Sequence, residues 1–152
     1  MSAGDITLKW GSAVEAGVTI TSVSSGSISS ASTAINLTSS NVVDVMVQLK
    51  SKTQAGTLNS APYIAVYALG SLDNTNFTAT SVDAGTLIGV QKITTANTEE
   101  WSAPFSLARA YGGTLPPYVK LFVENQTGVQ LNTTADAAEL YYALVYANVA
   151  SA

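Results

Sequence analysis

The sequence predicts an all-β protein, an antiparallel β-sandwich or jelly roll with an extended amino-terminal arm, in one domain over residues 1–152. Apolar residues alternate with period two in many short segments, as on strands with one buried face. Turn residues divide these segments into about eight to ten strands, a spacing typical of sandwiches rather than of βαβ units. Helical periodicity is nearly absent.

The amino-terminal segment predicts a short first strand in which Ile6, Leu8 and Trp10 alternate. Residues 11–17 are small and predict a loop, and Val18 and Ile20 predict a second strand. Because the first strand has little to pack on in its own chain, we interpret residues 1–15 as an extended arm. We expect this arm to add as a strand to a neighbouring subunit or to a capsid protein, with Trp10 as an anchor.

Residues 21–40 contain 12 Ser or Thr residues, a composition that fits either a linker or a weak edge strand. Residues 41–50 follow, and their valines at 43, 45 and 47 share one face, which predicts a strand with one face in the core. Residues 63–69 are apolar on both faces, as expected of a central strand.

The carboxyl-terminal half predicts strands at residues 87–93, 101–107, 118–125 and 140–149. Pro104 cannot donate to a sheet ladder, so its strand belongs at an edge or a bulge.

Two short segments complete this half. Residues 129–131 predict a short return strand, and residues 134–142 allow at most one helical turn. The predicted core residues lie on the alternating strands: Val43, Val45, Val47, Ile64, Val66, Val119, Leu121, Val123, Leu140 and Leu144.

Charge is scarce, because charged residues are 11% of the chain where a typical soluble domain has roughly 25%. Six Lys and Arg residues against ten Asp and Glu residues give a net charge of −4. The six cations are dispersed, so neither nucleic acid nor an anionic membrane is an expected partner. No run of roughly 18 apolar residues is available for a membrane-spanning helix. The start lacks a basic, then apolar leader, which predicts synthesis in a cytoplasm.

The absence of His and Cys excludes Ser-His-Asp and Cys-His nucleophile systems, zinc sites built on those residues and disulfides. Acid–base chemistry would therefore need carboxylate pairs such as Glu99 with Glu100, or Asp136 with Glu139. Adjacent strand residues point to opposite faces, so the first pair is badly placed to share a substrate. We predict no enzyme, no catalytic residues and no cofactor.

Residues 73–76 form an oxygen-rich cluster, Asp-Asn-Thr-Asn, which could hold calcium or form a tight turn. Only one formal charge is present, so the turn is favoured and no metal site is predicted.

Aromatic side chains suggest an interface, since six of the seven tyrosines fall on predicted strands and Tyr and Trp are enriched where proteins meet. The candidate interface residues are Ile6, Leu8, Trp10 and Tyr141.

Two stretches resemble the small jelly-roll proteins that decorate and cement the heads of tailed bacteriophages, or related virion β-sandwich proteins. They are YIAVYALGSLDNTNF at residues 63–77 and LPPYVKLFVENQTG at residues 115–128. The resemblance implies a homotrimer on the outer capsid surface of a virion, assembled in the host cytoplasm. Its partner would be the major capsid protein, whose subunits it would bridge to stabilise the shell. The alternative is a carbohydrate- or receptor-binding β-sandwich at a phage fibre tip, which would need an exposed aromatic residue beside amides.

Overall fold

Two antiparallel β-sheets form the structure, a computed structural model that describes residues 6–149. Their strands are β1 (Ile6–Trp10), β2 (Val14–Glu15), β3 (Ser27–Ile28), β4 (Ile35–Asn36), β5 (Val42–Ser51), β6 (Tyr63–Ser71), β7 (Thr86–Lys92), β8 (Glu100–Trp101), β9 (Phe105–Ser106), β10 (Tyr118–Gln126) and β11 (Glu139–Val149). A four-residue helix, α1 (Leu107–Ala110), follows β9. The predicted all-β sandwich is confirmed.

The strand order is that of a jelly roll. Sheet A has the order β1-β11-β5-β8, with β2 beside β11 on the β1 side and β9 beside β5 on the β8 side. Sheet B has the order β3-β10-β6-β7, with β4 beside β10 on the β3 side. When each interrupted edge counts as one strand, the first pairs with the last, the second with the last but one, and so on inward. This nested pairing is a long hairpin rolled into two sheets.

The core lies between the two sheets and is built by strict alternation. On β5, Val45, Val47 and Leu49 are fully buried, and on β10 Val119, Leu121 and Val123 are as well. The predicted Ile64, Val66 and Leu140 are also buried, and Leu144 packs against the cluster while partly exposed.

Val43 is the one predicted core residue that is wrong, since its side chain is 41% exposed. The pairing of β11 with β5 passes from Val145 opposite Asp44 to Tyr146 opposite Val42. Val43 is therefore the extra residue of a bulge, which reverses the alternation so that Val42 packs on the core instead.

Several other predicted elements differ in position or length in the structure. Val18 and Ile20 are buried but not in a strand, whereas β2 lies within the predicted loop. Residues 129–131 contribute only a bridge from Leu131 to Thr53. The predicted strand at residues 101–107 is split into β8 and β9 at the edge of sheet A, as the position of Pro104 indicates, and it ends in α1.

The serine- and threonine-rich segment is a weak edge of sheet B. Only β3 and β4 pair with β10, and between them two serines complete the ladder. The N–H groups of Ser29 and Ser32 donate to the carbonyls of Val123 and Leu121. Their hydroxyls accept from the N–H groups of the same two residues, at 3.0 and 2.9 Å. Of the two readings of this segment, the edge strand is therefore correct.

The amino-terminal segment is not without a partner in its own chain, so that part of the arm prediction is wrong. From Ile6 opposite Val149 to Trp10 opposite Val145, β1 pairs along its whole length with β11. The nested strand order causes this, because it places the first strand beside the last. In the rest of the predicted arm, β2 also pairs with β11, and residues 1–5 lie outside the described residues.

Candidate functional site: the outer face of sheet A

The outer face of sheet B is covered by the chain itself. Phe122 points outward from β10 yet is fully buried, with its ring stacked on Tyr67 at 5.2 Å between centroids. The loop of residues 72–85 crosses above it. A Cβ at Gly85 would lie 2.7 Å from Phe122 Cζ, and the Lys120 ammonium lies 4.4 Å from the Phe77 ring centroid. Little apolar surface of this sheet's centre is left for a partner.

No loop within residues 6–149 covers the outer face of sheet A in this way, and this face carries the predicted interface residues. Cross-strand partners share a face, and Gln48 pairs with Tyr141, Met46 with Ala143 and Trp10 with Val145, all opposite the buried valines of β5. The same alternation puts Ile6 and Leu8 on this side. We call this surface the apolar face: Ile6, Leu8, Trp10, Met46, Trp101, Pro104, Tyr141, Ala143 and Val145.

Large apolar side chains on this face are exposed to an unusual degree for residues in strands. Trp10 and Leu8 are each 63% exposed, and Ile6 is 68% exposed. Trp101, on the opposite edge strand β8, is 49% exposed. Contiguous exposed apolar area of this kind marks sites of interaction rather than ordinary surface.

Two adjoining cavities indent the apolar face. The first, about 230 Å³, is lined by Trp10, Gly11, Ala13, Met46, Gln48, Pro104, Tyr141, Tyr142 and Ala143. The second, about 520 Å³, lies between β7 and the β9–α1 segment and is lined by Met46, Leu87, Ile88, Pro104, Phe105, Ser106, Arg109 and Ala110. Since Met46 and Pro104 line both, the two cavities adjoin each other at the edge of sheet A, and together they extend from Trp10 to Arg109. We call this pair of cavities the sheet A groove.

A charge-compensated cluster borders the groove. The Lys50 ammonium lies 3.1 Å from Glu139 Oε2 and 3.9 Å from Glu99 Oε2, and it donates to the carbonyl of Asp136. The Tyr141 hydroxyl donates to the Glu139 carboxylate, and its ring stacks on Trp101 at 5.7 Å. The cluster thus adds polar contacts without a strong field of one sign.

These contacts shift the pKa values of three groups in the cluster. The hydrogen bond from Tyr141 is the main cause that lowers the pKa of Glu139. The same bond raises the pKa of Tyr141 to about 12. The hydrogen bond to Glu139 also raises the pKa of Lys50. All three groups therefore hold their neutral-pH protonation states, so the cluster fixes the Tyr141 ring at the groove wall.

Sequence patterns did not single out Trp101, Met46, Pro104 or Arg109. Trp101 could have been found, because a tryptophan that follows two charged residues, Glu99 and Glu100, in an edge strand is expected to be exposed. The other three come together only because β5, β9 and α1 meet at one end of the sandwich.

Three of the four carboxylates considered for acid–base chemistry, those of Glu99, Glu100 and Glu139, are engaged in local structure. Glu100 accepts hydrogen bonds from the N–H groups of Thr94 and Thr95, and Glu99 accepts from the Trp101 indole at 3.0 Å. Asp73 accepts from the N–H groups of Thr75 and Asn76, and these bonds hold the pKa of its carboxyl well below the usual range. The turn interpretation of residues 73–76 is confirmed.

Within residues 6–149, no group of three or more acidic side chains is arranged to hold a metal ion. No helix in this part of the chain is long and apolar enough to cross a membrane.

Residues 6–149 thus form a jelly-roll sandwich of eight strands when each interrupted edge is counted once. Within these residues, the outer face of sheet A is left uncovered. No protein-family model matches the chain, and no curated protein matches it. Among solved structures, a chain in the structure of infectious bursal disease virus, Gx strain, aligns at 16% identity and a TM-score of 0.34. The alignment covers 97% of this chain and 32% of that one.

Proposed function

We propose that the chain is a structural virion protein that binds the outer surface of a capsid and stabilises the shell by bridging capsid subunits. The observation that carries the proposal is the contrast between the two sheets. One outer face is covered by a loop of the chain, and the other leaves two tryptophans 63% and 49% exposed beside a groove. Tryptophan is among the residues most enriched at binding hot spots.

The low charge of the chain supports association as its role. With 11% charged residues, the surface has few charges to keep copies apart, so apolar area favours contact with a partner. A stable contact buries roughly 800 Å² on each partner. The proposal assigns the apolar face to contact with the major capsid protein, and it also includes a homotrimer, since most oligomers have closed symmetry. The number three rests on the resemblance to decoration proteins.

The mode of contact in this proposal is face packing and not strand addition. One edge of β1 is already paired with β11, and Lys9 is the fourth of the five residues of the strand. Charged residues on an edge strand discourage pairing with another chain. Trp10 remains the expected anchor, but through its ring.

The proposal assigns no catalytic activity to the chain. The acidic residues near the apolar face are held by Lys50, Tyr141 and Trp101, an arrangement that serves structure rather than proton transfer.

Co-sedimentation with purified, expanded empty phage heads tests the proposal. Leu8→Asp should weaken binding at least about tenfold, which corresponds to roughly 1.4 kcal/mol. Leu72→Asp is the matched control, since Leu72 is exposed on the loop over sheet B. The proposal is wrong if the wild-type chain does not bind heads, or if the control variant loses binding while Leu8→Asp retains it.

A carbohydrate-binding role is the second candidate, favoured by Trp101. Its indole is half exposed, and the amide of Gln48 lies on the same face, where it donates to the carbonyl of Ser102. A glycan array separates the two roles, because saccharide binding that Trp101→Ala abolishes would favour the fibre-tip alternative.

A further inference from the structure

We infer that the sheet A groove binds an extended peptide segment in which large apolar side chains are followed by a carboxylate. The inference deepens the proposed function and rests on it for the source of that segment, an extended part of the capsid protein.

The apolar half of the groove determines the first part of this ligand. The cavity between Trp10 and Pro104 has a volume of about 230 Å³ and presents mainly apolar atoms. An apolar cavity of about 150 Å³ is large enough for benzene. The first cavity therefore accommodates one leucine or aromatic side chain of a partner, packed against Met46 and the Tyr141 ring.

The charge of Arg109 determines the second part of this ligand. Arg109 is the one charged residue among those that line the two cavities. It is exposed and forms no ion pair with any acid in residues 6–149. A guanidinium at the end of an apolar groove favours a carboxylate, which it can bind through two parallel hydrogen bonds.

The length of the groove requires a short segment. From β1 through β11 and β5 to β9 there are three strand spacings, roughly 14 Å at about 4.8 Å each. An extended peptide rises about 3.3 Å per residue, so about five residues cross the sheet and two or three more reach Arg109. Eight residues are enough.

Three fluorescein-labelled octapeptides of one design test the inference by fluorescence anisotropy with the full chain. Each has two leucines in its first half, and the seventh residue is Asp, Asn or Lys. We expect the Asp peptide to bind about tenfold more tightly than the Lys peptide, and Arg109→Gln to remove this preference. Lys120→Gln is the matched control, since it removes a cation from the other sheet and should leave the preference intact. Met46→Asp should weaken all three peptides.

Three results would overturn the inference: equal affinity for the three peptides, no binding up to about 1 mM, or a preference that survives Arg109→Gln. Amide shifts on peptide addition provide a second measurement and should concentrate at residues 10–11, 46, 105–110 and 141–143. The outcome is separable from that of the proposed function. If the chain binds heads but no peptide, only the groove assignment fails. If it binds the Asp peptide but no heads, the capsid proposal fails and the peptide site stands.

Discussion

Two buried serines hold the weak edge of sheet B, and replacing either one should destabilise the protein. Ser29 and Ser32 lie between β3 and β4, where no strand accepts hydrogen bonds from β10. Their hydroxyls accept from the N–H groups of Val123 and Leu121, which are fully buried. In Ser29→Ala or Ser32→Ala the side chain keeps its Cβ, so the N–H loses its acceptor while the strand stays in place.

The expected loss follows from the burial of those donors. A buried N–H without an acceptor costs about 1–3 kcal/mol, more than the net value of an average hydrogen bond. At roughly 2–4 °C per kcal/mol for a domain of this size, each substitution should lower Tm by about 2–12 °C.

Guanidinium unfolding followed by tryptophan fluorescence measures the effect, and Ser30→Ala is the matched control. Ser30 lies between the two serines in sequence but is exposed. The control should change the free energy of unfolding by no more than about 0.5 kcal/mol. If Ser29→Ala and Ser32→Ala were as mild as Ser30→Ala, the serines would not be completing the ladder and the reasoning would be refuted.

Three further predictions concern packing and pH. Gly89→Ala should destabilise the protein by about 1–3 kcal/mol in the same unfolding assay, because the new Cβ would lie 2.2 Å from Phe105 Cδ1. In an alkaline titration followed at 295 nm, Tyr67 and Tyr141 should ionise late, near pH 12, and Tyr141→Phe should remove one late step. The unfolded chain releases these protons near pH 10, so stability should fall as pH rises from 10 to 12. Since the pKa of Glu139 is lowered by folding from 4.5, its contribution should be lost as pH falls below 4.5, and Glu139→Gln should abolish that part of the acid dependence.

The parts of the fold that the sequence predicts correctly are those set by local alternation. On β5, β6, β10 and β11 every second residue is apolar over most of the strand, and these four are the central strands of the two sheets. Alternation fails at Val43, because a bulge depends on how two strands pair and leaves no trace in either strand alone.

The irregular segments escape prediction for a related reason. Val18 and Ile20 are buried without belonging to a strand, so their alternation records burial and not hydrogen bonding. In the region of Ser29 and Ser32, side chains replace backbone acceptors, and composition gives no means to tell such a ladder from a linker.

The groove could not be predicted from the sequence, although the face shared by three residues of β1 could. Ile6, Leu8 and Trp10 share one face of one short strand, which periodicity reveals. The groove instead needs Met46 from β5, Pro104 before β9 and Arg109 from α1, whose neighbourhood follows from the nested pairing of the third strand with the third from last.

The nested strand order also determines at which stage of folding the apolar face can form. Its exposed tryptophans lie on β1 and β8, and the centre of the face is provided by β11, the last of the described strands. Trp10 has no cross-strand neighbour on this face until β11 pairs with β1, and Met46 has only Ser106 of β9 until β11 pairs with β5. Among the described strands, pairing the first with the last closes the longest loop, a contact of the kind that forms slowly because its entropy cost comes first. We therefore expect the complete apolar face to form late in folding.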